Sequence, residues 1–219
     1  MLKAIKVALV LALAPWQLAA EPTELSVHVT DALSGKAADG TRIIVNHGPQ
    51  PQPVAAEMIQ KNRQFQPHVL VVPKDSKVDF PNRDATQHHV YSFSPAKVFD
   101  IELYADQPDE PIIFDTVGVV EVGCNIHDHM QGFILVTNSG LTASTDESGL
   151  AHISLPGNIS GADKISLSLW HPRLDDNTQT VDFIIDPNPE SVVELKLALE
   201  PKPAGIGRLN RLQQRFQDL

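Results

Sequence analysis

The chain has 219 residues and a formal charge of −10, from 17 Lys and Arg against 27 Asp and Glu. An acidic surface lacks the cations that neutralise phosphates, so nucleic-acid binding is excluded as a leading function. The chain holds one cysteine, which excludes a disulfide scaffold within it.

Residues 1–20 read as a secretory signal peptide. Lys3 and Lys6 precede an apolar run from Val7 to Pro15, and the small Ala19 and Ala20 follow. The run is too short to cross a bilayer, and a retained N-terminal anchor is the alternative. No later segment is apolar for long enough to span a membrane. The expectation is export, most simply to a bacterial periplasm, with no membrane span. Those residues hold no charge besides Lys3 and Lys6, so their removal takes the charge from −10 to −12.

Residues 21–52 are expected to form an N-terminal β-hairpin, because Leu25, Val27 and Val29 alternate with Ser26 and His28. The hairpin is expected to span residues 24–47 and to pair with a unit far along the chain. Residues 53–138 form the next unit, after a Pro-rich joint at Pro49–Pro53. Within it Phe99, Ile101 and Leu103 alternate with Asp100 and Glu102, placing one face in a core. Residues 139–201 read as a small β unit, with Ile165, Leu167 and Leu169, then Val193, Leu195, Leu197 and Leu199, on one face. Turn clusters such as Asp39-Gly40, Ser148-Gly149 and Pro156-Gly157 punctuate the runs. Residues 202–219 carry Leu209, Leu212, Phe216 and Leu219 at helical spacing, an amphipathic tail that packs on the body or docks a partner. The fold class is all-β, of sandwich type.

Cys124 has no partner in the chain. It is a buried inert thiol, half of an intermolecular disulfide, or a metal ligand. Its surroundings point to the last. Cys124-Asn125-Ile126-His127-Asp128-His129-Met130 joins an apolar strand, Val119–Val122, to another, Phe133–Val136. A thiolate, an imidazole and a thioether on one loop lack only a second imidazole to make a trigonal His₂Cys set with a weak axial Met, the blue-copper arrangement. His88, upstream in Gln87-His88-His89-Val90, supplies it if it points inward with Val90; His89 is the competing choice. His129 replaces a ligand or lies on the rim. Zinc suits Cys and His but not Met. No Gly-x-Ser-x-Gly elbow or phosphate loop is present, and Asp84 and Asp128 beside the loop do not make an acid–base pair without a substrate pocket. An enzyme is not expected.

These residues resemble the cupredoxins, specifically the plastocyanin and amicyanin branch. The likeness rests on Cys124-x-x-His127 with Met130 close behind, on Asn82-Arg83-Asp84-Ala85 before His88, and on Phe65-x-Pro67-x-x-Leu70-x-Val72 with Val78 and Phe80. It covers about residues 53–138 and implies a Greek-key sandwich with one type 1 copper at its end. Tyr91-Ser92-Phe93-Ser94-Pro95-Ala96-Lys97 and Leu169-Trp170-His171-Pro172-Arg173-Leu174 resemble exported proteins labelled "methylamine utilization protein". Thr145 to Ala151, with Leu155-Pro156-Gly157, resembles carboxypeptidase-regulatory-like domains, a second small sandwich. Where the branch has Pro before its second His, Ile126 stands here, and His89 and Asn125 stand where it has Asn and a hydroxyl residue. A swap is expected, with Asn125 and His89 hydrogen-bonding behind the ligands. The resemblance implies single-electron transfer with a redox partner protein, basic to suit the acidic surface. A copper delivery, storage or sensing module, or a metal-free interaction module, is the alternative.

Overall fold

The structure, a computed structural model, describes residues 22–187 and 191–201. The expected signal peptide, residues 1–20, and the helical tail, residues 202–219, lie outside them. The strands run β1 (Thr23–Asp31), β2 (Arg42–Val45), β3 (Ala55–Glu57), β4 (Ile59–Lys61), β5 (Gln64–Gln66) and β6 (Val69–Pro73). Next come β7 (Ser76–Asp79), β8 (His88–Ser94), β9 (Lys97–Tyr104), β10 (Ile112–Phe114), β11 (Gly118–Cys124) and β12 (Gln131–Thr137). The rest are β13 (Thr142–Ser144), β14 (Leu150–Leu155), β15 (Ile165–Trp170), β16 (Val181–Ile185) and β17 (Val192–Leu197). A one-turn helix, Gly157–Ser160, is the one helix among the described residues. The chain is all-β. No helix among the described residues is long and apolar enough to cross a membrane.

Two sheets enclose the first core. One has the order β6-β12-β11-β8-β9 and the other β10-β7-β3. β6 runs parallel to β12, while β8, β9, β11 and β12 pair antiparallel. Val78, Phe80 and Phe114 meet Val120, Val122 and Ile134 between them.

Two further sheets, β14-β1-β17 and β13-β2-β15-β16, enclose a second core. β1 pairs with β14 and β17, and β2 with β13 and β15, so strands from both ends of the described chain share these sheets. Residues 24–47 therefore form no hairpin. Leu25, Val27 and Val29 of β1 line one wall of the core and Ile43 and Val45 of β2 line the other. The ten-residue link crosses between walls through bonds such as Asp31 N–H to Lys36 O at 2.8 Å. Alternation dictates which face is buried but not which strand is the neighbour.

β11 and β12 are buried almost throughout. Val120, Val122, Ile134 and Val136 face the first core, whereas Val119, Phe133 and Leu135 enter the second. Phe133 meets Trp170 with ring centroids 4.9 Å apart. Cover on both faces is why these strands read as apolar runs rather than as alternation.

β9 departs from its expected alternation. Phe99 and Ile101 pack against the first core, but Leu103 is 53% exposed. His88 pairs with Tyr104 and Val90 with Ile101, a register shift that leaves one extra residue on β9. The shift turns Leu103 out and Tyr104 in.

Candidate metal centre

β11 ends at Cys124 on the same face as Val120 and Val122, so pleating alone aims the thiol into the first core. The chain then makes a tight loop. His127 N–H reaches Cys124 O at 3.4 Å, Met130 N–H reaches His127 O at 2.8 Å, and Cys124 N–H reaches Met130 O at 3.2 Å. These bonds close the loop, with Cys124 and Met130 both entering the first core. β8 pairs with the end of β11, Val90 opposite Cys124, which brings His88 alongside.

Cys124 Sγ lies 3.5 Å from His88 Nδ1 and 3.7 Å from His127 Nδ1. The three potential ligand atoms all lie within 4.8 Å of one another, the one such grouping of His, Cys or carboxylate groups among the described residues. Bonds of about 2.3 Å to sulfur and about 2.0 Å to imidazole nitrogen, at trigonal to tetrahedral angles, set sulfur and nitrogen about 3.5–3.7 Å apart. The donor spacing fits a small first-row ion. Met130 is 1% exposed in the same core as Cys124, and its thioether is a soft donor that suits copper. Cys124 is 3% exposed, which keeps it from a second chain's thiol.

Of the two adjacent histidines, His88 is the one whose ring reaches Cys124. It is fully buried. His89 turns away, its Nε2 hydrogen-bonded with Asp100 and its Nδ1 3.4 Å from Asn125 Nδ2. Asn125 N–H also donates to His89 O at 3.1 Å. Asn125 and His89 thus tie the ligand loop to β8. His129 is exposed and lies outside the grouping, as do Asp128 and the 45% exposed Ile126. His28, His152 and His171 hydrogen-bond elsewhere: His28 to Glu194, His152 to Ser26 and His171 to Asp39 O.

Burial, with the nearby His88 and Arg63 adding to it, holds His127 below its ordinary value, so the ring is neutral at pH 7. Neutral imidazole is the form that binds metals. Burial also pushes the Tyr91 hydroxyl up to about 12, with Glu121 and Cys124 adding to it.

Of the polar residues around the centre, Asp84 was expected beside it but with no partner assigned, and Gln60, Asn62 and Tyr104 carried no expectation. Asp84 Oδ2 sits 2.9 Å from His88 Nε2. Burial works to raise the Asp84 carboxyl, but the Arg63 N–H, His88 and the Asn62 N–H outweigh it and hold the group below its ordinary value. Tyr104 O–H donates to Phe80 O at 2.7 Å, and buried Gln60 Nε2–H donates to the same oxygen at 2.9 Å. A cleft of about 400 Å³ beside the centre is lined by Asn62, Arg63, Asp84, Ala85 and Thr86. The available signal was an acidic residue four positions before a candidate ligand.

No protein-family model matches the chain, and no curated protein matches it. Among solved structures, an oxidized amicyanin point mutant is 20% identical with a TM-score of 0.35, covering 37% of this chain and 81% of its own. A purple cupredoxin from Nitrosopumilus maritimus is 20% identical with a TM-score of 0.30, covering 38% and 99%. A copper-containing nitrite reductase from Thermus scotoductus is 26% identical with a TM-score of 0.34, covering 40% of this chain and 23% of its own. The likeness is to part of the chain, and the reading of the centre rests on its own geometry.

Proposed function

We propose that the protein is an exported type 1 copper protein that carries single electrons between partner proteins. The reading assigns His88 Nδ1, Cys124 Sγ and His127 Nδ1 as the copper ligands, with Met130 as the weak axial donor. What carries it is one thiol flanked by two imidazole nitrogens at 3.5 and 3.7 Å, with a buried Met on the same loop.

Copper, when bound, supplies the one-electron couple. The chain's contribution is a rigid, dry pocket. Cys124, Met130 and His88 are each 3% exposed or less. The loop that holds three of the four ligands is closed by its own backbone bonds. Such a cage changes little between oxidation states, which keeps the reorganisation on electron transfer small. His127, only partly buried, is the ligand nearest solvent and the route for the electron, with Ile126 as its apolar rim. The net charge, −12 once residues 1–20 are removed, would steer a basic redox partner, with association that weakens as salt rises. Export, to a periplasm, is supported by the basic and apolar residues at the start of the chain.

The test is to add Cu(II) to the purified protein and record its visible spectrum beside that of Cys124→Ser. An intense thiolate-to-copper band that the substitution abolishes is the expected result, with a reversible potential and fast electron self-exchange. A colourless wild type overturns the copper reading. Ready surrender of the copper to a mild chelator points instead to delivery or storage.

A further inference from the structure

Asp84 is held from several sides before it meets His88. Its Oδ1 accepts the Asn62 N–H at 2.6 Å and its Oδ2 the Arg63 N–H at 3.0 Å. Asn62 and Arg63 are consecutive non-glycine residues with φ of 56° and 57°. Asn tolerates left-handed backbone, whereas it costs Arg63 about 1–2 kcal/mol, which the contact with Asp84 helps to offset. Successive N–H groups in such turns converge on an anion, and the Asp84 carboxylate fills that place. Behind it, Asp84 N–H donates to Asn82 Oδ1 at 2.9 Å, and buried Asn82 donates to Thr86 O at 2.8 Å.

The fixed carboxylate has one further neighbour, His88 Nε2 at 2.9 Å. An ionised carboxylate can only accept, so Nε2 of His88 carries a proton, and Nδ1 is the nitrogen turned toward Cys124 Sγ and available to a metal. His127 has a partly exposed ring and a neighbouring cation in Arg63 instead. The two imidazoles are thus unequal, one anchored to a partly buried anion and one facing the rim.

We infer that Asp84 is a positioning residue for the metal centre, fixing the tautomer and angle of His88 and, through its charge, favouring the oxidised ion. The inference rests on the copper reading above. The competing view makes Asp84 only a structural clip between the 61–64 turn and the segment before β8.

The experiment compares copper-loaded wild type with Asp84→Asn and with Asp128→Asn, which removes the same charge from the exposed loop without touching a ligand. Asp84→Asn is expected to keep the fold, to raise the reduction potential well beyond any rise in Asp128→Asn, and to weaken copper retention against a chelator ten- to hundredfold. A potential and retention equal to those of Asp128→Asn overturn the inference while leaving the copper centre standing. A wild type that takes up no copper overturns both. A check that needs no substitution is nitrogen–proton correlation NMR of the Cu(I) protein. A low-field, slowly exchanging proton on His88 Nε2 is expected, and its absence overturns the role of Asp84 even if Asp84→Asn does not fold.

Discussion

The two faces of β11 and β12 do different work with the same backbone. On one face Cys124 follows Val120 and Val122, Met130 packs in the same core, and His88 reaches the thiol. On the other, Val119, Phe133 and Leu135 meet Trp170 and a set of aliphatic side chains. The first face brings one thiol and two imidazoles together, and the hydrogen bond from His88 Nε2–H to Asp84 helps to hold them. The second needs only volume, filled at close-packed density. A strand pair can therefore carry a chemical centre and a structural seam at once, because successive side chains leave it on opposite sides.

That division is easiest to break at Phe133. Phe133→Ala removes a fully buried ring packed 4.9 Å from Trp170. It is expected to lower stability by about 3–5 kcal/mol, read by denaturant unfolding. The visible spectrum of the copper-loaded protein should not move. A shifted band would mean that the seam and the centre are mechanically coupled.

Gly149 sharpens the comparison on the seam's own side. Its φ is +82°, its carbonyl accepts the Val29 N–H at 2.8 Å, and an added Cβ would lie 2.5 Å from Val29 O. Gly149→Ala therefore combines strain with a clash against β1 and should cost about 1–3 kcal/mol. Gly35, at φ +69° with open space where its Cβ would go, carries the strain alone. Gly35→Ala should cost less, and equal losses at the two sites would show that the close approach at Gly149 is relieved by backbone movement.

Acid should loosen the seam through Asp31. The Ser34 hydroxyl and the Leu33 N–H, against the opposing effect of burial and with Arg173 nearby, hold its carboxyl below the ordinary value. A depressed value means that folding favours the ionised form. The stabilisation is present above the unfolded value, about 3.9, and disappears as pH falls through the lower folded value. Asp31→Asn should cost about 1 kcal/mol at pH 7 and flatten the acid limb of the stability profile below pH 4. An unchanged acid limb would remove Asp31 from the account.

How far the sequence could be read follows the range of each interaction. Cys124, His127 and Met130 lie within one loop between apolar strands, so their nearness was legible from spacing alone. His88 depends on β8 pairing with β11, which the inward phase of Val90 suggested and a lone motif could not. The Asp84 contact was not legible, because it runs through an irregular segment and a left-handed turn where neither period two nor period 3.6 applies. The expected hairpin failed for a related reason: β1 and β2 show the right alternation, but long-range pairing decides the sheet each one joins.

Leu103 is the smallest and most local case. Strict alternation puts it in the core beside Phe99 and Ile101, whereas the register shift opposite His88 leaves it 53% exposed and turns Tyr104 inward. Leu103→Ser should then change stability by no more than about 0.5 kcal/mol, the range of ordinary surface substitutions. A loss of about 2 kcal/mol or more would be the cost of emptying a core site. It would mean that β9 follows its sequence period, and that Tyr104 does not close the first core beside His88.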